Sequence, residues 1–152
     1  MKNLTKSALA TLVLLSVQYA HANTDNLSLD EKRQTTVANY INHLGNANLE
    51  GMQAIFGDDS IVVSTSAGEK NALTFFSGFF PLINKAHTEL HQRFTSITDK
   101  NRIGARFHLD YQLHDGENGT GEFVDEFVFY DNSDQIKAVY MFENLKFPNK
   151  YE

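Results

Sequence analysis

Three sets of residues in this sequence have the types and spacing to do chemistry. The run Arg102 to His114 alternates, with Arg106, His108, Asp110, Gln112 and His114 on one parity and Phe107, Leu109, Tyr111 and Leu113 on the other. An imidazole two residues from a carboxylate on one side of a strand can trade protons with it, so His108 and Asp110 are candidate catalytic residues. Either that polar parity lines a pocket, or it faces water and the apolar parity is core; a slip of one residue exchanges the two. Glu126 stands between Val124 and Val128 in the run Gly121 to Tyr130. A carboxylate among apolar side chains is costly unless it is partnered or used, which makes Glu126 the third catalytic candidate. Tyr40 adds a phenol donor on the apolar stripe of an early helix.

Other chemistries are absent from the pattern. His87 and His91 have the spacing that grips zinc on a helix, but in a strand they stand about 13 Å apart at ~3.3 Å per residue, so no metal site is expected. The sequence holds no Cys, which excludes thiolate catalysis, iron–sulfur clusters and a disulfide scaffold. No Gly-rich phosphate loop, no Gly-x-Ser-x-Gly elbow and no Walker string occurs, so no cofactor is expected.

The elements that must position these residues follow from periodicity. Ser28 and Glu31 form a capping box for a helix whose Val37, Tyr40, Ile41 and Leu44 recur at 3/4 spacing up to Gly45. Asn48 caps a shorter helix with Leu49, Met52, Ile55 and Phe56 on its stripe. Ile61-Val62-Val63 reads as a short buried strand. Asn71 to Asn84 carries Leu73, Phe76, Phe79, Phe80 and Ile83 at helical spacing, with Pro81 kinking or ending the helix. Four runs of about ten residues then alternate, His87–Thr98, Arg102–His114, Gly121–Tyr130 and Gln135–Asn144, and their short connections make antiparallel hairpins. The sum is an α+β layer architecture.

The chain has 152 residues, 41% of them hydrophobic, enough for one domain with its own core. Its formal charge of −6 argues against nucleic acid or an anionic membrane surface as partner. Residues 1–22 have the form of a secretory signal, with Lys2 and Lys6, the apolar run Ala8 to Val17, and Ala20-His21-Ala22 as a cleavage site. That run is about half of what spans a bilayer, so no stable membrane insertion is expected. The domain is then 23–152, secreted and, from the style of the signal, placed in a bacterial periplasm.

Both the order of elements and two local strings resemble the nuclear transport factor 2-like superfamily, which includes ketosteroid isomerases and SnoaL-like polyketide cyclases. The first string is Tyr40-Ile41, Asn48-Leu49-Glu50 and Phe56-Gly57-Asp58-Asp59-Ser60-Ile61-Val62. The second is Val124 to Asn144, with Phe129-Tyr130-Asp131 and Tyr140-Met141-Phe142-Glu143. The resemblance implies a cone-shaped curved antiparallel sheet wrapped around the N-terminal helices. It places the isomerases' tyrosine donor on Tyr40 and their neutral acid, kept protonated by an apolar site, on Glu126. Their general base falls on Ser64, which cannot take a carbon-bound proton at neutral pH unaided.

From these residues a cavity for a small, mostly apolar ligand is expected, lined by Tyr40, Phe56, Phe76, Phe80, Val124, Glu126, Val128, Val139 and Met141. With the base position filled by Ser64, a binding module without isomerase activity is the first reading. A SnoaL-like enzyme using Glu126 or the His108/Asp110 pair is the second, and a dimeric assembly protein the third. Aromatic residues on both parities of the late strands point to a homodimer through Phe123, Phe127, Phe129, Tyr140 and Phe142.

Overall fold

Ser28 opens the first helix as the cap residue it was read to be. Its Oγ accepts the N–H of Glu31, and the Glu31 carboxylate accepts the N–H of Ser28, so two orphan donors are satisfied at once. The computed structural model describes residues 27–144; the signal-like segment 1–22 lies outside them. Helix α1 (Leu29–Gly45) is followed by α2 (Leu49–Ile55), which Asn48 caps through the N–H of Gly51. Strand β1 (Phe56–Ser64) turns through Gly68, at φ 65°, into β2 (Gly68–Asn71). Asn71 caps α3 (Ala72–Phe79), and a 3-10 turn at Phe80–Leu82 holds Pro81. The run read as one helix over 71–84 therefore stops early, because Pro81 cannot continue the α-helical hydrogen bonds. Strands β3 (Ile83–Thr95), β4 (Arg102–Leu113), β5 (Asn118–Phe129) and β6 (Ile136–Asn144) complete the chain.

The six strands form one curved, unclosed sheet in the order β2-β1-β6-β5-β4-β3. The meander β3 to β6 is antiparallel as read, whereas β1 lies parallel to β6 with Val62 opposite Val139, so the sheet as a whole is mixed. Sequence periodicity cannot show which edge of the meander takes the early strand, nor that the four exposed residues of β2 pair with β1.

The three helices cover the inner side of the sheet. Val37, Tyr40, Ile41 and Leu44 of α1, Met52 of α2 and Phe76 of α3 meet Ile103, Phe107, Phe127, Phe129, Ile136 and Val139 in one core. Gly45 lets the end of α1 settle on β3: a Cβ there would run into Thr88, whose hydroxyl donates to the Ile41 carbonyl at 2.8 Å.

A single buried arginine fixes the other end of α1. Arg33 is 4% exposed and gives Nε to the Ser133 carbonyl at 2.8 Å, Nη1 to that of Lys100 at 3.0 Å and Nη2 to that of Tyr130 at 2.9 Å. Its guanidinium also lies 5.2 Å from the centre of the Phe129 ring. The β3–β4 and β5–β6 turns are thus tied to one side chain. Arg33→Met keeps the stem but leaves three carbonyls without their charged donor, and urea unfolding should show a loss of about 3 kcal/mol or more.

Candidate functional site

Side chains in a strand alternate between faces, so the cross-strand partners decide what each face contains. Asp125 pairs with Met141 on one side and Ala105 on the other, and Phe127 pairs with Val139 and Ile103. Phe123, Asp125, Phe127 and Phe129 are all buried, and all face the helices. There the Tyr40 hydroxyl donates to Asp125 Oδ2 at 3.2 Å, with both residues almost wholly shielded from solvent. Three phenylalanines surround the phenol, their ring centres 4.9 Å (Phe127), 5.9 Å (Phe76) and 6.2 Å (Phe56) from it. Burial first, then the Asp125 charge and the hydrogen bond to it, hold the Tyr40 pKa well above its ordinary value, so the phenol keeps its proton and remains a donor.

Ser64 lies in the same inward row. Val63 pairs with Tyr140, which sets Ser64 beside Met141, and Met141 is next to Asp125. Two strand spacings separate Ser64 from Asp125, about 10 Å at ~4.8 Å each. The Ser64 hydroxyl accepts the N–H of Ala67 at 3.0 Å and lies 3.4 Å from Ser66 Oγ. No carboxylate or imidazole contacts it among the described residues, so nothing there activates it toward proton abstraction.

The structure therefore divides the residues expected around a cavity. Tyr40, Phe56, Phe76, Phe80 and Val139 are in the inner core, and Met141 faces the same way at its edge. Val124, Glu126 and Val128 are on the opposite, outer face. The reason is a one-residue difference of parity in β5, and the carboxyl that meets Tyr40 is Asp125. Glu126 instead receives Arg102 Nη1 at 2.7 Å, and Arg102 also binds Asp99 at 2.9 Å. Of the five residues assigned to a dimer face, Phe123, Phe127 and Phe129 are core, while Tyr140 and Phe142 are outside.

In β4 the apolar parity is the inner one, with Phe107 and Leu109 buried. His108 and Asp110 do come together, Nε2 to Oδ1 at 3.1 Å, but on the outer face. His108 Nδ1 lies 3.1 Å from Glu122 Oε1, and that carboxylate also meets His91 at 3.5 Å and Arg106 at 3.7 Å. His91, unlike the separated His pair imagined in a regular strand, is carried there beside a bulge between Leu90 and Gln92. Thr120 donates to Asp110 at 2.6 Å, which with His108 and His87 keeps the Asp110 carboxyl below its ordinary pKa. Among the described residues no group of three or more His, Asp or Glu is arranged to hold a metal ion, and no helix is long and apolar enough to cross a membrane.

Sequence reasoning missed Asp125 and Arg33. The signal for Asp125 was its parity with three phenylalanines, a single acid in an otherwise aromatic row. The signal for Arg33 was its place one turn before Val37 on the apolar stripe of α1.

Many solved structures share this arrangement of three helices on an open six-strand sheet. BvnE pinacolase from Penicillium brevicompactum matches with a TM-score of 0.65 at 10% identity, covering 77% of this chain and 89% of that one. A nuclear transport factor 2-like protein of Burkholderia pseudomallei K96243 matches with a TM-score of 0.60 at 14% identity, over 74% and 91%. A LEH-like epoxide hydrolase of M. tuberculosis matches at 0.62 and 12%, over 75% and 84%. The chain has the nuclear transport factor 2-like fold. No family model matches its sequence, and no curated protein does. Identities this low carry the fold alone. Within that fold the sheet's inner face carries the Tyr40–Asp125 pair, and its outer face carries the His108 network.

The His108 network has a titration consequence. Desolvation pulls the imidazole pKa down, but hydrogen bonds to Glu122 and Asp110, and their charges, outweigh it, so the value is raised. A raised folded-state value means the pairing stabilises the fold fully at acidic pH, below the unfolded value, and is lost as pH rises through the folded one. NMR titration should place the His108 midpoint above the ordinary 6.5, and Glu122→Gln should lower it.

Proposed function

We propose that this protein binds a small, mostly apolar ligand inside the cone, with a phenolic hydroxyl of the ligand held by Tyr40 and Asp125. The carrying observation is the pair itself: a phenol and a carboxyl 3.2 Å apart within an aromatic core, where water does not compete for them. Inward-facing Met141, with Leu73, Phe75 and Phe79 of α3, keeps part of its surface. That side is where a ligand would approach, by displacing side chains and not backbone. A ligand hydroxyl would bridge the pair, donating to the Asp125 carboxylate and accepting from the Tyr40 phenol. Proton abstraction has no agent at Ser64, so the reading is a binder and not an isomerase. A SnoaL-like acid–base enzyme would have to use Asp125, since Glu126 and the His108/Asp110 pair are on the other side of the sheet.

The chain is proposed to act after secretion, with residues 1–22 removed. It is also proposed to form a homodimer through the outer face. Tyr140 and Phe142, 57% exposed, lie there beside Val124, 38% exposed, and Val128.

Native mass spectrometry of the protein recovered from its own host tests these together. The expected species is a dimer of chains beginning at Asn23 that releases a small organic ligand on activation; an empty, full-length monomer is the contrary result. Binding of 2-naphthol, followed by calorimetry, should weaken about tenfold in Tyr40→Phe and in Asp125→Asn with the fold retained. Equal affinity in both variants would leave the pair a structural one. Phe142→Asp should shift the dimer to monomer in light scattering without changing 2-naphthol affinity.

A further inference from the structure

We infer that the outer face carries a second binding site, an open trough at the β3–β4–β5 end of the sheet whose side-chain donors and acceptors suit a small polyhydroxylated ligand such as one sugar ring. The trough encloses about 550 Å³ and is bordered by two rows of side chains. The cross-strand register makes one row Lys85–Gln112–Asn118 and the other His87–Asp110–Thr120. The row between them, Ala86–Tyr111–Gly119, sends its side chains to the inner face, so the floor is backbone. Two residues of rise put the walls about 7 Å apart, and three strands make the trough about 10 Å long at ~4.8 Å per strand.

The donors and acceptors select the ligand class. Gln112 accepts from Asn84 through Oε1 at 3.2 Å, which leaves its amide hydrogens to offer. Asn118 gives Nδ2 to the Gly116 carbonyl at 3.0 Å, which leaves its Oδ1 as acceptor. Asp110 is clamped by Thr120 at 2.6 Å and by His108 at 3.1 Å, both on Oδ1, so its second oxygen is a rigid acceptor. Lys85 and His87 stand opposite them as donors. An anion would meet the Asp110 charge and a cation would meet Lys85. Vicinal hydroxyls, which donate and accept, satisfy both walls without a net charge. The row Glu89–His108–Glu122 separates this trough from the row of Arg106, Val124 and Phe142, so a dimer through the Val124 and Phe142 patch leaves the trough open.

The test is backbone-amide NMR of the whole protein titrated to about 50 mM with D-glucose, D-galactose and N-acetyl-D-glucosamine, with methyl phosphate and choline as charged comparators. The expected result is saturable shifts for at least one sugar, confined to residues 85–87, 110–112 and 118–120, and weakened about tenfold in Asp110→Asn. Thr120→Val, which unclamps the carboxylate, should produce a smaller loss in the same direction. It keeps the test decisive if Asp110→Asn alters the fold. No saturable shift with any sugar, shifts centred elsewhere, tighter binding of a charged comparator, or unchanged affinity in the variants would each overturn the proposal. None of these readings depends on the inner pair of Tyr40 and Asp125.

Discussion

A strand sends alternate side chains to opposite faces, and in β5 that rule admits no compromise, because both neighbours fix its register. Phe127 must face Val139 and Ile103, and Phe123 must face Phe107, whose ring stacks on it at 5.5 Å. Asp125, between them, is then carried inside whatever it costs to bury a carboxyl. The Tyr40 hydroxyl reaches it there, and a polar group that would otherwise be expensive becomes partnered. Shifting β5 by one residue would put Glu126 inside and expel three phenylalanines. The apolar rows therefore decide where the acid goes, and α1 must arrive with its tyrosine at the matching height.

That height is set at a distance. Arg33 ties the start of α1 to the two turns at the same end of the meander, and Thr88 receives the last turn of the helix at the other. Between these two anchors Tyr40 has little freedom to move along the strand direction. The β5–β6 turn itself rests on local chemistry, with Asn132 at positive φ. Side-chain-to-backbone bonds at a helix terminus or turn and long-range bonds to carbonyls thus converge on the placement of one phenol.

Signals that act within a few residues were legible in the sequence. Ser28 with Glu31, and Asn48, each cap the helix that follows them, and the four late strands form where alternation puts them, although β3 begins at Ile83 and β5 at Asn118, ahead of the runs His87–Thr98 and Gly121–Tyr130. Pro81 stops α3 for a reason any sequence shows. What could not be read was decided between strands. Apolar side chains on both parities of β5 give a periodicity of two with no indication of which set is inside, so Glu126 and Asp125 were interchangeable until cross-strand partners were known. The parallel seat of β1 beside β6 is likewise a matter of topology. Arg33 was hidden for a different reason: composition rules place arginine outside, and only three distant carbonyls make its burial tolerable.

The two faces of the sheet have separate logics, and the separation keeps the acid–base residues of the described strands in two groups. On the inner face the polar groups are few, buried and paired, and Ser64 supplies a hydroxyl where proton transfer would need a base. On the outer face His91, His108, Asp110, Glu122 and Arg106 neutralise one another in water's presence, which spreads charge and leaves none of them desolvated enough to drive a difficult proton transfer. A reaction needs an activated base, a shielded oxyanion donor and a substrate between them. Here the buried phenol has Asp125 as its carboxylate partner, and the thickness of the sheet divides both from the His108 network.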